Sequence, residues 1–316
     1  MSGFEITIFL SLGIILLFVG AEGLIRGSSN LAIKIGITPL VVGLTVVAFG
    51  TSAPELVVSL SAALKGNSTI SLGNVIGSNI ANIALILGVA ALIRPLDVHA
   101  KVIIREIPVM IGISVLLFFL LLDGKIDFFD GLIFIALLIL YNVFSVLLAR
   151  KEKSPEIQNE FKEGLKSKFG VPLSIIFMIA GLALLILGAN LFVQSAVAIA
   201  KLFNVSDAVI GLTIVAIGTS LPELITSIVA AYKKEADIAI GNVVGSNVFN
   251  ILGILGITAL IIPVSSDGIS KIDLFVMIGT AILLFPLSKT GKRISRFEGI
   301  LLLVGYIIYL YYLITK

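Results

Sequence analysis

The chain has 316 residues, of which 58% are hydrophobic and 13% charged, with a formal net charge of +3. A soluble domain carries about 25% charged residues, so the composition excludes an ordinary soluble enzyme, and the basic residues lie scattered in loops rather than in a nucleic-acid footprint. Cysteine is absent, which excludes disulfides and thiolate metal sites.

Apolar runs of roughly 20 residues match the length of a bilayer-spanning helix. They predict ten spans, at 4–25, 37–64, 70–93, 102–122, 127–149, 171–200, 208–232, 237–262, 272–288 and 297–315. Met1 to Phe4 offers no basic segment and no small-residue cleavage site, so the first run reads as a retained span and not a signal peptide. Polar punctuation such as Lys65-Gly66-Asn67-Ser68 and Leu122-Asp123-Gly124-Lys125 separates the spans. The longest polar segment, 150–170, divides the chain into two five-span halves, 1–149 and 171–316. Of the 22 Lys and Arg residues, 17 fall in the odd-numbered loops or at their edges, Arg105 among the latter. Short cytoplasmic loops carry the basic excess, so the 150–170 loop is expected in the cytoplasm and both termini outside.

The halves repeat. Residues 45–95 align with 213–263 at a constant offset of 168, without a gap and with 29 identities in 51 positions. An odd number of spans per half turns the second copy upside down, the inverted-repeat arrangement of many secondary transporters. The expected fold is an all-α membrane protein of ten helices in two inverted repeats.

Within the repeat lie Gly50-Thr51-Ser52-Ala53-Pro54-Glu55 in span 2 and Gly218-Thr219-Ser220-Leu221-Pro222-Glu223 in span 7. A carboxylate at bilayer depth costs about 2.5–3.5 kcal/mol or more and normally faces a cavity or a partner. No Lys, Arg or His lies within these two spans to pair with it, which points to a bound cation. Pro54 and Pro222 lack the N–H that would bond the carbonyl four residues earlier, and those carbonyls belong to Gly50 and Gly218. Irregular backbone at membrane depth is tolerated where it lines a cavity. In span 3, Asn74, Ser78 and Asn82 form a polar stripe at i, i+4 and i+8, and Asn242, Ser246 and Asn250 repeat it in span 8. Gly73 with Gly77, and Gly241 with Gly245, have the small-residue spacing that lets helices approach closely. Carboxylate, hydroxyl, amide and backbone oxygens suit hard cations such as calcium. Two glutamates balance one Ca²⁺ or two Na⁺. The single histidine, His99, lies in a loop and reads as a surface residue.

At these residues the sequence resembles the sodium/calcium exchangers of the cation/calcium antiporter superfamily, in a compact prokaryotic form. The matching motifs are GTSAPE with GNVIGSNIAN and GTSLPE with GNVVGSNVFN. The resemblance implies that Glu55 and Glu223 coordinate calcium, helped by the backbone oxygens of Thr51 and Thr219. It implies sodium sites built from the Ala48 and Ala216 carbonyls and the side chains of Thr51, Ser52, Ser78, Thr219, Ser220 and Ser246. Asn82 and Asn250 would line the middle of the cage. Spans 1 and 6 would slide across eight core helices to alternate access. Some relatives carry Asp where this chain has Asn250, which makes potassium co-transport less expected here. The 150–170 loop is too short for the calcium-sensing domains of animal exchangers.

The expected activity is therefore electrogenic sodium-driven calcium antiport, with no cofactor beyond the transported Ca²⁺ and Na⁺. The expected partners are the two ions and the lipid bilayer, with no nucleic acid and no obligatory protein partner, so a monomer. The alternatives are a proton/calcium exchanger of the same fold, a cation channel and an intramembrane enzyme. Channels commonly build their filters from several subunits around an axis, whereas a pseudo-two-fold site within one chain favours a carrier. No nucleophile–base pair supports an enzyme.

Overall fold

The computed structural model describes residues 3–35, 37–151, 170–203 and 216–315. The expected 150–170 loop and the beginning of the span expected at 208–232 lie largely or wholly outside the described residues. In chain order the helices are α1 (Gly3–Ile35), α2 (Pro39–Thr51), α3 (Ala53–Leu64), α4 (Ser68–Ile93), α5 (Val102–Asp123), α6 (Phe128–Lys151) and α7 (Val171–Leu202). They continue with α8 (Ala216–Thr219), α9 (Leu221–Tyr232), α10 (Ala236–Ile261), α11 (Lys271–Lys289) and α12 (Arg296–Thr315). Among the described residues, eight helices are long and apolar enough to cross a membrane, and the bent pair α2–α3 makes a ninth candidate. The chain is an all-helical, multi-pass membrane protein.

Burial sorts the helices into core and rim. In their most apolar stretches, α10 is 83% buried and α4 72% buried, against 17% for α6 and 22% for α12. The rim helices turn large apolar side chains outward, including Ile139, Leu140, Ile307 and Ile308. Such faces suit lipid, where apolar exposure carries no penalty. The first helix runs ten residues beyond the span expected at 4–25, as far as Ile35, and its Glu22 pairs with both Arg26 and Lys233, the latter just past α9.

Close backbone approach shapes two interfaces. A Cβ on Gly181 of α7 would lie 2.5 Å from Leu24 N and 2.6 Å from Gly20 O, and a Cβ on Gly188 would lie 2.8 Å from Leu17 N. Helices α1 and α7 therefore touch through their backbones. On α10, the Gly241 and Gly245 spacing packs onto α2, where a Cβ on Gly245 would stand 2.4 Å from Leu44 O.

Contacts between the halves come in pairs related by the 168-residue offset. Strand β1 (Leu96–Asp97) pairs antiparallel with β4 (Arg293–Ile294), and β2 (Lys125–Ile126) with β3 (Val264–Ser265). Leu96 faces Ile294 in the first ladder and Ile126 faces Val264 in the second; adding 168 to Leu96 and Ile126 gives Val264 and Ile294. These two-residue ladders tie loops of one half to loops of the other.

His99 has a partner. Its Nε2 lies 3.3 Å from Asp237 Oδ2 at the start of α10, clasping the loop before α5 to a core helix. The hydrogen bond and charge of Asp237 push the imidazole above its ordinary value. A group with a raised folded-state pKa stabilises fully below its unfolded value, about 6.5 for histidine, and loses that contribution as pH rises through the folded value. The side chain is 67% exposed, so the increment is small. Thermal unfolding followed from pH 6 to pH 8 is expected to show a slight loss of stability in the native chain, and no such step in His99→Gln.

Candidate cation site

Both broken helices bend at the serine of the repeated motif. Ser52, between α2 and α3, has φ −83° and ψ 7°; Ser220, between α8 and α9, has φ −88° and ψ 8°. Helices α2 and α3 meet at 45°. Pro54 and Pro222 lie just after the bend, in the first two positions of the next helix, where a missing N–H costs nothing. The proline thus starts the second segment, and the irregular residue is the serine two positions before it. Glu55 and Glu223 follow in the first turn of those segments, where the helix dipole favours negative charge.

Each serine serves the other half's glutamate. Ser52 Oγ donates to Glu223 Oε1 at 2.8 Å, and Ser220 Oγ donates to Glu55 Oε1 at 2.9 Å. The two bends therefore interlock at one point. Both glutamates are 1% exposed. The stripe residues Asn74 and Asn242 brace this arrangement. Asn74 Nδ2 donates to Ser59 Oγ at 2.9 Å and to the Glu55 backbone carbonyl at 3.3 Å. Asn242 Nδ2 donates to Ser227 Oγ at 3.1 Å and to the Glu223 carbonyl at 3.3 Å. Thr51 Oγ1 stands 3.0 Å from Asn242 Oδ1. Thr219 holds the matching position in α8.

The other expected residues sit on the same helices. Ser78 Oγ lies 3.5 Å from Ser220 Oγ. Ser246, its repeat mate, is fully buried. The Ala48 carbonyl accepts the Ser52 N–H at 3.0 Å and lies 3.4 Å from Thr51 Oγ1. Ala216 opens the short helix α8. Asn82 and Asn250, one turn beyond the two serines, each begin a π-helical stretch, Asn82–Leu87 and Asn250–Leu255. Such π-bulges recur at functional sites.

Among the described residues, several buried oxygens here have no hydrogen-bond partner: Glu55 Oε2, Glu223 Oε2, Asn82 Oδ1, Asn250 Oδ1 and Ser246 Oγ. Buried polar atoms are nearly always satisfied. The ion pairs of the described residues lie elsewhere, at Glu22, Glu106, Asp97 and Asp237. Two carboxylates and two amide carbonyls without donors form a set that a hard, oxygen-seeking cation can satisfy. Among the described residues no group of three or more His, Cys, Asp or Glu is clustered, so neutral oxygens have to complete any coordination shell.

A narrow cleft reaches this place from one side. Gly73, Asn74, Gly77, Ser78, Ile217 and Ser220 line its depth, with Tyr306 and Tyr309 toward α12. At the repeat-related position, Phe49 and Phe249 pack edge to face with ring centroids 5.0 Å apart. Ile217 and Ala81 are their repeat mates.

Three features escape sequence reasoning. Asn79 and Asn247 stand one position off the predicted stripe, yet they link the halves: Asn82 Nδ2 donates to Asn247 Oδ1 at 2.9 Å and Asn250 Nδ2 to Asn79 Oδ1 at 3.0 Å. Their signal was present in the motif, since GSN recurs in both copies. Ser59 and Ser227, which hold Asn74 and Asn242, also recur at the same offset. Glu106 is a third fully buried acid, in α5, but it already binds Arg105 Nε at 2.6 Å and accepts from Tyr141 OH at 2.8 Å.

Comparison with known proteins shows the family of the chain. The family model for sodium/calcium exchanger protein matches residues 5–147 and 173–315. The chain is 38% identical to the inner membrane protein YrbG of Escherichia coli over 96% of this chain and 95% of that protein. It is 33% identical to the sodium/calcium exchanger MaX1 of Methanosarcina acetivorans over 96% of this chain and 97% of that one. A solved structure of the sodium-calcium exchanger NCX_Mj superposes with a TM-score of 0.85 at 34% identity, covering 98% of this chain and 99% of that one. With both halves matched by the family model and the fold shared from end to end, the chain belongs to the sodium/calcium exchanger family.

Proposed function

We propose that the chain is a secondary active antiporter that exchanges sodium for calcium by alternating access. The observation that carries the reading is the pair of buried glutamates, each with one oxygen held by the other half's serine and the second without a partner. Glu55 and Glu223 would bind calcium, with backbone oxygens of Thr51 and Thr219. Ala48, Ala216, Ser52, Ser220, Ser78, Ser246 and the threonine hydroxyls would hold sodium, and Asn82 and Asn250 would complete the cage. Calcium and sodium would occupy it in turn, since two carboxylates balance either one Ca²⁺ or two Na⁺. In this reading ten helices form two inverted repeats, both termini face outward, the 150–170 loop is cytoplasmic, and one chain suffices. The paired contacts between the halves support that arrangement.

The test is calcium uptake into proteoliposomes loaded with sodium, potassium or acid in turn. Uptake driven by an outward sodium gradient, accompanied by charge movement, is the expected result. Uptake driven by an outward proton gradient and indifferent to sodium would make the chain a proton/calcium exchanger. Potassium is expected to have no effect, because Asn250 leaves the cage with two carboxylates.

A further inference from the structure

We propose that Asn79 and Asn247 are positioning residues that fix which end of Asn250 and Asn82 faces the transported cation; the inference rests on the cation-site reading above. A side-chain amide has a donor end and an acceptor end. A cation site needs the oxygen turned inward, and an amide free to flip would present its NH₂ half the time.

The orientation follows from a chain of contacts that starts at the backbone. A main-chain carbonyl can only accept. Asn79 Nδ2 lies 3.3 Å from the Asn247 carbonyl, and Asn247 Nδ2 lies 3.3 Å from the Asn79 carbonyl. This reciprocal pair forces the NH₂ of each residue toward the opposite backbone. The second N–H of each has a sulfur neighbour: Met277 Sδ is 3.9 Å from Asn79 Nδ2, and Met110 Sδ is 3.5 Å from Asn247 Nδ2. The remaining Oδ1 of Asn79 can only accept, and it takes the NH₂ of Asn250 at 3.0 Å. The Oδ1 of Asn247 takes the NH₂ of Asn82 at 2.9 Å. With their donor ends held, Asn250 and Asn82 must turn their Oδ1 atoms the other way. Those two oxygens are among the partnerless buried acceptors of the site. All four asparagines are nearly or fully buried, so water does not relax the constraint.

The arrangement is crossed. Asn79 of the first half orients Asn250 of the second, and Asn247 orients Asn82. Asn79 does not orient Asn82, although the two share a helix three residues apart. A residue acting this way should be coupled to its target and to nothing else, and loss of such an outer partner typically costs about 10–100-fold in metal affinity.

The experiment measures calcium concentration dependence of exchange in proteoliposomes for Asn79→Leu, Asn250→Ala, Asn82→Ala and the two double variants. Asn79→Leu is expected to raise the half-saturating calcium concentration at least about tenfold with a smaller change in maximal rate. In the Asn250→Ala background it should add almost nothing, and in the Asn82→Ala background its full effect should add. Asn247→Leu should show the mirror pattern. If Asn79→Leu fails to fold, the smaller Asn79→Ala, which also removes the acceptor that holds Asn250 Nδ2, carries the same test. A lowered melting temperature with unchanged calcium dependence would overturn the inference, and so would equal coupling of Asn79 to Asn82 and Asn250. Glu55→Gln, run alongside, separates the two levels. If it exchanges calcium normally, the site reading falls; if it is inactive while the Asn79 and Asn247 variants keep native calcium dependence, only the positioning inference falls.

Discussion

Glu55→Gln and Glu223→Gln are each expected to abolish calcium exchange while leaving the fold at least as stable as before. Each glutamate is 1% exposed, keeps one oxygen on a serine of the other half and leaves the second without a partner. Removing one member of a buried charge pairing costs about 3–5 kcal/mol, and about 1.4 kcal/mol is tenfold in affinity, so calcium binding should weaken by at least about a hundredfold. Without the ion the sign reverses. A buried carboxylate facing no cation is a desolvation cost, and glutamine of equal size removes it. The ion-free variant should therefore melt no lower than the native chain, and calcium should no longer raise its melting temperature, because ligand stabilisation follows binding. Calcium flux together with thermal unfolding in calcium and in chelator checks both halves. Normal exchange in both variants would place the transported cations elsewhere.

That prediction was reachable from the sequence because the repeat exposes polar identity. The 29 identities in 51 positions include Thr51, Ser52, Glu55, Ser59, Asn74, Ser78, Asn79 and Asn82, whereas many apolar positions exchange freely, since an apolar residue of suitable size satisfies lipid or core. The sequence therefore singled out the two glutamates and the hydroxyls as candidates, together with the small-residue face of α10. It was less informative about direction. Helical spacing placed Asn74 on a polar stripe with Ser78 and Asn82, and its amide braces the Glu55 turn through Ser59. The same spacing left Asn79 aside, because its partners come from the other half of the chain. Local periodicity reports a face and says nothing of which neighbour meets it. The bend at Ser52 is also invisible to the rule that a proline breaks a helix behind it, since Pro54 occupies the start of the next segment. Glu106 escaped notice because its partner Arg105 is adjacent and Tyr141 lies a whole span away.

The departures from symmetry bear on how the site opens. An antiporter has to expose one site to each side in turn, and in the proposed arrangement two inverted halves would offer two equivalent approaches. Here the approaches differ. Ser78 and Ser220 are each 5% exposed and border the cleft, where the flanking repeat positions are Ala81 and Ile217. Ser246 and Ser52 are fully buried, and the equivalent positions hold Phe249 and Phe49 in edge-to-face contact. An aromatic pair of this kind contributes about 0.5–1.5 kcal/mol beyond its buried area, so in the proposed reading separating the rings would be part of opening the second approach. Phe249→Ala is expected to shift the balance toward that opening. The absence of native cysteine makes the test direct: Ser246→Cys should react slowly with a membrane-impermeant thiol reagent in the native background and about tenfold faster in Phe249→Ala, which removes the ring pair and its packing. Ser78→Cys should react fast in the native background and more slowly in Phe249→Ala, because a gain of one access state is a loss of the other. Unchanged labelling of Ser246→Cys would show that the rings pack beside the path without closing it. A rise at both positions would show that the substitution loosened the helices instead of shifting an equilibrium between two ordered states.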